Sequence, residues 1–196
     1  MYVSYNNLYH YTIMVSIFIK IEMTKRYLFL DFDGVLHAER KGRPDLRFKN
    51  NLYPIVKKYD LSVVISSAWR TSYDLAGLQK LLGKRLGSMV IGKTPDHSLL
   101  EDLRPMQEQI DDEFPWFYGM RQREIEEWMG KNASANDSWI ALDDIKIHFS
   151  KDCENLFLTH SDIGLDEKTA QSFNKFCSQY FKIQLTKGRL SMLKQF

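Results

Sequence analysis

The sequence Tyr-Leu-Phe-Leu-Asp-Phe-Asp-Gly-Val-Leu spans residues 27–36 and carries the first chemically distinctive pattern of the chain. Its four leading apolar residues predict a short buried strand. Asp31 and Asp33 follow at i, i+2 spacing, and Gly34 then allows a turn. Because side chains two residues apart on a strand point to the same side, both carboxylates are expected at the carboxyl end of this strand. In open α/β sheets that edge is where ligands bind.

Two carboxylates this close repel each other unless a cation lies between them or one of them carries a proton. The first solution fits Mg²⁺, a hard cation that prefers oxygen ligands and keeps several waters. The second fits a general acid. A site that forms an aspartyl-phosphate uses both, because one Asp attacks and its neighbour protonates the leaving group. The alternative interpretation is a solvated, inert acidic turn, but the buried strand directly before it favours function.

Residues 30–36, Leu-Asp-Phe-Asp-Gly-Val-Leu, resemble the first motif of the haloacid dehalogenase-like (HAD) phosphohydrolases. The resemblance implies three further parts in a fixed order. A hydroxyl ends the second strand, a basic residue opens a helix before the fourth strand, and an acidic pair follows that strand.

The composition fits one α/β domain, since 196 residues with 44% hydrophobic content can bury a sizeable core. The net charge of +2 points to no particular partner. Cys153 and Cys177 lie far apart without a Cys/His cluster, which indicates reduced thiols in a cytoplasmic protein rather than a zinc site or a disulfide framework. No run of eighteen apolar residues occurs, so no membrane association is expected. The sequence indicates no oligomeric state.

The domain is expected to comprise residues 23–196, with residues 1–22 as an extension outside the core. Met23-Thr24-Lys25-Arg26 directly precedes the first strand, as a natural start would. The segment before it lacks the basic region and the small-residue cleavage site of a signal peptide. An added edge strand is the alternative interpretation for residues 1–22.

Two loops are expected beside the site. Residues 37–50 are polar and basic, and Gly42 and Pro44 mark them as a loop. The resemblance implies a flap here whose basic side chains could touch a phosphate-rich substrate, and a solvated loop is the alternative. Residues 92–120 form a long irregular segment, which in a compact domain is usually functional. It predicts a small lid, too short for a large cap domain, with aromatic side chains that pack on the core. Stacking of these aromatics on a base is the alternative.

The second buried strand is predicted at residues 61–65 and is followed by Ser66-Ser67-Ala68-Trp69-Arg70. The resemblance implies that Ser66 donates a hydrogen bond to a phosphate oxygen, helped by nearby backbone N–H groups. Ser67 and Gly34 are expected to contact the same substrate. Arg70 is a candidate bidentate phosphate ligand. The alternatives are that Ser66 only ends a strand and that Arg70 is a surface arginine with Trp69 packed below it.

An amphipathic helix is predicted over residues 121–129. The resemblance implies a basic residue at its start that neutralises the attacking Asp and the phosphate. Arg121 is the candidate, and Arg123 and Lys93 are the alternatives. Many members of the resembled family carry lysine at this position, from which this chain departs.

The fourth buried strand is predicted at residues 139–142 and ends in Asp143-Asp144. Two like charges at a strand end indicate a cation. Because adjacent side chains on a strand point to opposite faces, Asp143 is expected to bind Mg²⁺ directly and Asp144 to hold a metal-bound water or order the backbone. The resemblance implies that Asp31 and the backbone carbonyl of Asp33 complete the metal site.

Further strands are predicted at residues 88–91 and 155–159, and further helices at residues 51–59, 73–82 and 166–181. Alternating strands and helices predict an α/β fold with a central, mainly parallel five-stranded sheet and all motifs at its carboxyl edge. The resemblance makes this a three-layer, Rossmann-like HAD fold with little or no cap.

The closest resemblance is to the small capless HAD domains of RNA-repair (Swiss Army Knife) proteins, carried by residues 61–70, 121–128 and 141–144, with Thr159 and Gly164-Leu165. It implies a Mg²⁺-dependent phosphomonoesterase that works through an aspartyl-phosphate, with a nucleotide or a polynucleotide end as its expected substrate. Three alternatives remain: a metal-dependent nuclease, a phospho-acceptor signalling module and a non-catalytic interaction module.

Overall fold

Strands and helices alternate along the chain in the computed structural model, which describes residues 24–38, 45–97 and 119–193, with side chains up to residue 184. The elements are β1 (Arg26–Leu30), α1 (Lys49–Tyr59), β2 (Leu61–Ile65), α2 (Trp69–Ser72), α3 (Leu75–Gly87), β3 (Val90–Lys93), α4 (Met120–Asn132), β4 (Ser138–Asp143), a 3₁₀ turn (Lys146–His148), β5 (Leu156–Leu158) and α5 (Glu167–Leu193).

The five described strands form one sheet in the order β3-β2-β1-β4-β5, and every neighbouring pair is parallel. Parallel strands need crossover connections, which the helices supply. Sheets of this kind are covered on both faces, so their central strands are continuously apolar rather than alternating. This explains the run at residues 27–30, where every side chain is buried. The predicted Rossmann-like α/β fold is confirmed.

Alternation along β1 divides the core into two layers. Leu28 and Leu30 belong to the larger cluster, which also takes in buried residues of α1, α3 and α5. Tyr27 and Phe29 belong to a second cluster with Trp128 of α4, whose ring meets theirs edge to face at 5.2 and 5.6 Å. Aromatic contacts of this geometry add to the area that they bury. They fix α4 on its face of the sheet and so determine where the first turn of that helix lies.

The boundaries of α3 and α5 differ from the predictions. The predicted end at Gly83 is instead a kink, since Gly83 has φ 79° and ψ 171° and the helix resumes beyond it to Gly87. The buried side chain of Leu86 lies in this resumed turn and holds it on the core. The helix also starts later than predicted, at Leu75, where the Asp74 carboxylate accepts the N–H of Gly77 at 2.7 Å. Helix α5 runs further than the predicted end at residue 181.

Several predicted segments lie outside the described residues: the extension 1–22, the middle of the flap (39–44) and most of the long loop (98–118). Among the helices that the structure describes, none is long and apolar enough to cross a membrane.

Candidate active site

The register of the sheet brings three of the motifs to one level. Leu30 of β1 pairs with the residue before Ser66 in β2 and with the residue before Asp143 in β4. Asp31, which follows Leu30, therefore lies between the side chains of Ser66 and Asp143. Backbone hydrogen bonds hold the arrangement, because the Asp31 N–H donates to Leu142 O at 3.0 Å and the Ser66 N–H donates to Leu30 O at 3.0 Å. The predicted meeting of the motifs at the carboxyl edge thus follows from the strand pairing.

Three carboxylates meet at this edge. Asp31, Asp143 and Asp144 each offer an oxygen, and these oxygens lie within 4.8 Å of one another. Burial and the neighbouring charge of Asp31 raise the pKa of Asp143 to about 7. Mg²⁺ prefers oxygen ligands such as these carboxylates, and a bound cation would relieve the repulsion between the negative charges of the three aspartates. The residues therefore fit a magnesium ion.

Asp144 lies closer to the cluster than strand alternation predicts. β4 ends at Asp143, and the chain bends at Asp144, so the rule that adjacent side chains point to opposite faces no longer applies. The bend turns the Asp144 carboxylate towards the other two acids. Either residue of the pair can thus offer an oxygen to an ion.

Arg121, in the first turn of α4, supplies a positive charge at this cluster. Its Nη1 lies 3.4 Å from Asp143 Oδ2 and 3.6 Å from Asp31 Oδ1. Burial alone would lower the pKa of this guanidinium, but the charges of Asp31 and Asp143 outweigh it and raise the pKa. The other two candidates lie elsewhere. Arg123 is exposed, and the exposed Lys93 donates to two backbone carbonyls near α2. Of the three, the structure brings Arg121 to the aspartates.

One turn further along α4, Glu124 is fully buried between two arginines. Its Oε1 accepts a hydrogen bond from Arg70 Nη2 at 2.6 Å, and its Oε2 lies 3.8 Å from Arg121 Nε. A buried carboxylate persists only when charges of this kind compensate it. Sequence reasoning missed Glu124, although its i, i+3 spacing from Arg121 places both side chains on one helix face.

Arg70 is 5% exposed, so its interpretation as a surface arginine is wrong. Its Nη1 donates to the carbonyl oxygens of Ser66 and Ser67 at 2.8 and 3.0 Å, and its Nε donates to Pro95 O at 3.3 Å. With Glu124 on Nη2, each nitrogen of the guanidinium has a partner within the protein. In this arrangement Arg70 holds the loop after β2 in place, rather than presenting a free fork to a phosphate.

The two serines after β2 are buried. The N–H groups of Ser66 and Ser67 both donate to Leu30 O, at 3.0 and 3.3 Å. These amides therefore tie the loop to the end of β1 and are engaged within the protein. Ser67 Oγ accepts the backbone N–H of Trp69 at 3.4 Å. Ser66 stands beside Asp31, as the resemblance implies for a hydroxyl that contacts phosphate.

Gly34 allows the turn after Asp33 to approach the acidic pair. Its φ of 63° is a conformation that side chains disfavour, and a Cβ there would overlap the Asp144 carboxylate. The Gly34 carbonyl accepts a hydrogen bond from Thr159 Oγ1 at 2.9 Å, and the Thr159 N–H donates to Asp143 O. Thr159 thus joins the ends of β4 and β5 to the turn, a positioning role that the sequence did not predict.

Asp33 lies outside the carboxylate cluster. Its Oδ2 accepts a hydrogen bond from Trp69 Nε1 at 2.8 Å. Its Oδ1 lies 3.0 Å from His37 Nε2, in a contact that is not aligned as a hydrogen bond. The Asp33 side chain is 44% exposed, whereas Asp31 is buried. The two acids of the first motif therefore have separate surroundings, which is what different chemical roles require.

His37 and Trp69 had no predicted part in the site. The sequence shows no ligand spacing around His37 and predicts a packing role for Trp69. The i, i+4 separation of Asp33 and His37 across a glycine turn is a local signal for the contact between these two residues. The hydrogen bond between Trp69 and Asp33 joins residues 36 positions apart, and no local pattern predicts it.

Comparison with known families gives a match to the model described as the HAD domain in Swiss Army Knife RNA repair proteins, over residues 27–170. Comparisons with curated proteins and with solved structures give no match. The matched range includes β2 to β5, all of β1 except its first residue, the carboxylate cluster, Arg121 and Asp33. It covers more than half of the chain, and the chain therefore belongs to the family of HAD domains found in Swiss Army Knife RNA repair proteins, which indicates a phosphohydrolase-type function.

Proposed function

We propose that this protein is a Mg²⁺-dependent phosphomonoesterase that forms an aspartyl-phosphate on Asp31. The observation that carries the proposal is the separation of the two acids in the first motif. Asp31 lies buried beside Asp143 and Arg121, where its anion is compensated. Asp33 lies two residues away, is partly exposed, and accepts a hydrogen bond from the indole N–H of Trp69. A nucleophile and an acid–base group need this difference.

The metal site of this proposal consists of Asp31, Asp143, Asp144 and the backbone carbonyl of Asp33. When bound, Mg²⁺ would supply positive charge that offsets the repulsion between the Asp31 carboxylate and a phosphate dianion. Arg121 would add a second positive charge on the protein side of the same group.

The residues then act in two steps. In the first step an oxygen of Asp31 attacks phosphorus, the bond from phosphorus to the leaving oxygen breaks, and Asp33 gives that oxygen a proton. In the second step Asp33 takes a proton from the water that attacks the aspartyl-phosphate, which releases inorganic phosphate and restores Asp31. Ser66 and Arg121 stabilise the equatorial oxygens, where charge concentrates in the transition state.

A nucleotide or a phosphorylated polynucleotide end is the substrate class that we propose. The description of the matched family refers to RNA repair proteins, which supports this class. The basic character of residues 37–50 is also suited to a partner rich in phosphate.

Phosphate release with and without Mg²⁺ tests the proposal. The substrates are 4-nitrophenyl phosphate and oligonucleotides that carry a 3′- or a 5′-phosphate. Asp31→Asn keeps the shape of the side chain but removes the nucleophile, and it should abolish release. Asp152→Asn changes an exposed acid outside the cluster and serves as the matched control. Full activity of Asp31→Asn would contradict the proposal. Internal cleavage of the oligonucleotides without phosphate release would indicate a nuclease instead.

A further inference from the structure

Trp69 connects the loops that follow β1 and β2. It is the first residue of α2, and its Nε1–H donates to Asp33 Oδ2 at 2.8 Å. Trp69 is partly buried, so this hydrogen bond is shielded on one side from water. A bond from a neutral donor to a carboxylate is stronger and more directional than a bond between neutral groups.

The indole ring has a fixed orientation. Phe32 meets it edge to face at 5.5 Å, and Tyr73 stacks on it at 5.9 Å with an angle of 22° between the planes. Because rings on two sides restrict its rotation, the N–H points at one place. The Asp33 carboxylate, in contrast, is 44% exposed, and the indole N–H fixes the direction in which its Oδ2 points.

The two oxygens of Asp33 differ in their contacts, because only Oδ2 faces the indole N–H. The indole N–H can only donate, so Oδ2 must accept in both the ionised and the protonated form of the carboxyl group. The carbonyl oxygen of a protonated carboxyl group is a better acceptor than its hydroxyl oxygen, so this contact favours a proton on Oδ1 over one on Oδ2. Oδ1 is the oxygen on the side of His37, at 3.0 Å from Nε2.

We propose that Trp69 is a positioning residue that holds Oδ2 of Asp33, so that the proton of the acid–base steps is carried by Oδ1. This inference rests on the proposed phosphomonoesterase function. As the bond from phosphorus to the leaving oxygen breaks, the proton moves from Oδ1 to that oxygen and leaves Asp33 ionised. Oδ1 then accepts a proton from the attacking water, which returns Asp33 to its starting state.

Trp69→Phe tests this inference, because it keeps an aromatic ring between Phe32 and Tyr73 and removes the N–H donor with the pyrrole part of the indole. The measurement is kcat/KM for an alkyl phosphate and for 4-nitrophenyl phosphate. This quantity reports the first chemical step, in which an alkoxide needs a proton and 4-nitrophenolate leaves without one. Since a general acid contributes on the order of 10²–10⁴-fold, we expect a loss of about 10-fold for the alkyl ester and about 2-fold or less for the aryl ester.

Two further variants separate positioning from a general loss of structure. Trp139→Phe removes the same atoms from a ring that packs with the cluster on the other face of the sheet, and it should leave the ratio of the two kcat/KM values unchanged. In an Asp33→Asn background, Trp69→Phe should have no additional effect on the alkyl ester, because the group that it positions is gone.

The outcomes distinguish this inference from the proposed function. Wild-type protein that releases no phosphate from either ester would overturn the proposed function, and the role of Trp69 with it. Active wild-type protein with an unchanged ratio in Trp69→Phe would overturn the role of Trp69 alone. An equal loss on both esters would do the same, because it would indicate a structural effect.

Discussion

Arg70 and Glu124 form a buried ion pair, with Nη2 of the arginine 2.6 Å from Oε1 of the glutamate and at most 5% of either side chain exposed. The pair joins the loop after β2 to helix α4, two segments that are distant in sequence. Arg70 holds the carbonyls of Ser66 and Ser67, and Glu124 lies against Arg121. This contact is therefore one of those that set the position of Ser66 relative to Arg121, the hydroxyl and the cation of the proposed mechanism.

Glu124→Ala should destabilise the protein by about 3–5 kcal/mol, because it leaves two buried guanidinium groups without their shared carboxylate. Urea unfolding measures the change. Glu126→Ala is the matched control: Glu126 lies on the exposed face of the same helix, where its contact with Gln122 contributes about 0.5 kcal/mol or less. Equal effects of the two substitutions would show that the buried pair has no structural role.

Arg121→Ala and Arg123→Ala should differ in activity although they are neighbours on one helix. Arg121 contacts Asp31 and Asp143, whereas Arg123 is exposed. Removing a preorganised positive charge from a phosphoryl-transfer site costs about 10²–10³-fold in kcat. We expect such a loss for Arg121→Ala and near wild-type kcat for Arg123→Ala in the assay of phosphate release. The reverse order would assign the role of the basic residue beside the attacking Asp to Arg123.

The fold and the positions of the candidate site motifs were predictable because they depend on local patterns. The apolar run at residues 27–30 predicts a strand by itself, and parallel pairing then places the residue after each strand at one edge. Arg121 was predictable only with the family resemblance. The supporting contacts were not predictable. The hydrogen bonds from Trp69 to Asp33 and from Arg70 to Glu124 depend on how segments distant in sequence pack together. A sequence pattern of period two or 3.6 carries no information on such pairs.

Gly83 shows a different limit. A glycine after an amphipathic stretch predicts the end of a helix, and here the backbone at Gly83 does leave the helical conformation. The chain nevertheless returns to a helix because Leu86 is buried in the core. The local signal thus decides only that a break occurs, and tertiary packing decides which conformation the chain adopts beyond it.

Gly34→Ala should reduce both stability and Mg²⁺ affinity. The substitution forces a side chain into a conformation with φ 63°, and its Cβ would displace the Asp144 carboxylate. Backbone strain of this kind costs about 1–3 kcal/mol. Gly130→Ala is the matched control, because Gly130 lies within α4 with open space where a Cβ would stand, and alanine should stabilise the helix there by about 0.5–1 kcal/mol. Calorimetric titration with Mg²⁺ and thermal unfolding measure the two properties. Unchanged Mg²⁺ affinity in Gly34→Ala would separate Asp144 from the metal site.

The carboxylate cluster should make the metal-free protein less stable as the pH rises. Burial and the charge of Asp31 raise the pKa of Asp143 from 3.8 to about 7, so the folded state holds a proton that the unfolded chain has already lost. The free energy of unfolding should therefore fall between about pH 4 and pH 7 through this group, and its contribution should level off above pH 7.

Asp143→Asn tests this dependence, because it removes the ionisable group and keeps the size of the side chain. In EDTA the variant should be more stable than the wild type at pH 8, and the difference should shrink towards pH 4. Saturating Mg²⁺ should reverse the order at pH 8, since the ion stabilises the ionised cluster of the wild type and binds the variant less tightly. Urea unfolding of the wild type and of the variant, each with EDTA and with Mg²⁺, gives four free energies of unfolding at each pH. A difference that is independent of pH in EDTA would contradict the raised pKa of Asp143, and an order that Mg²⁺ leaves unchanged would place the ion elsewhere.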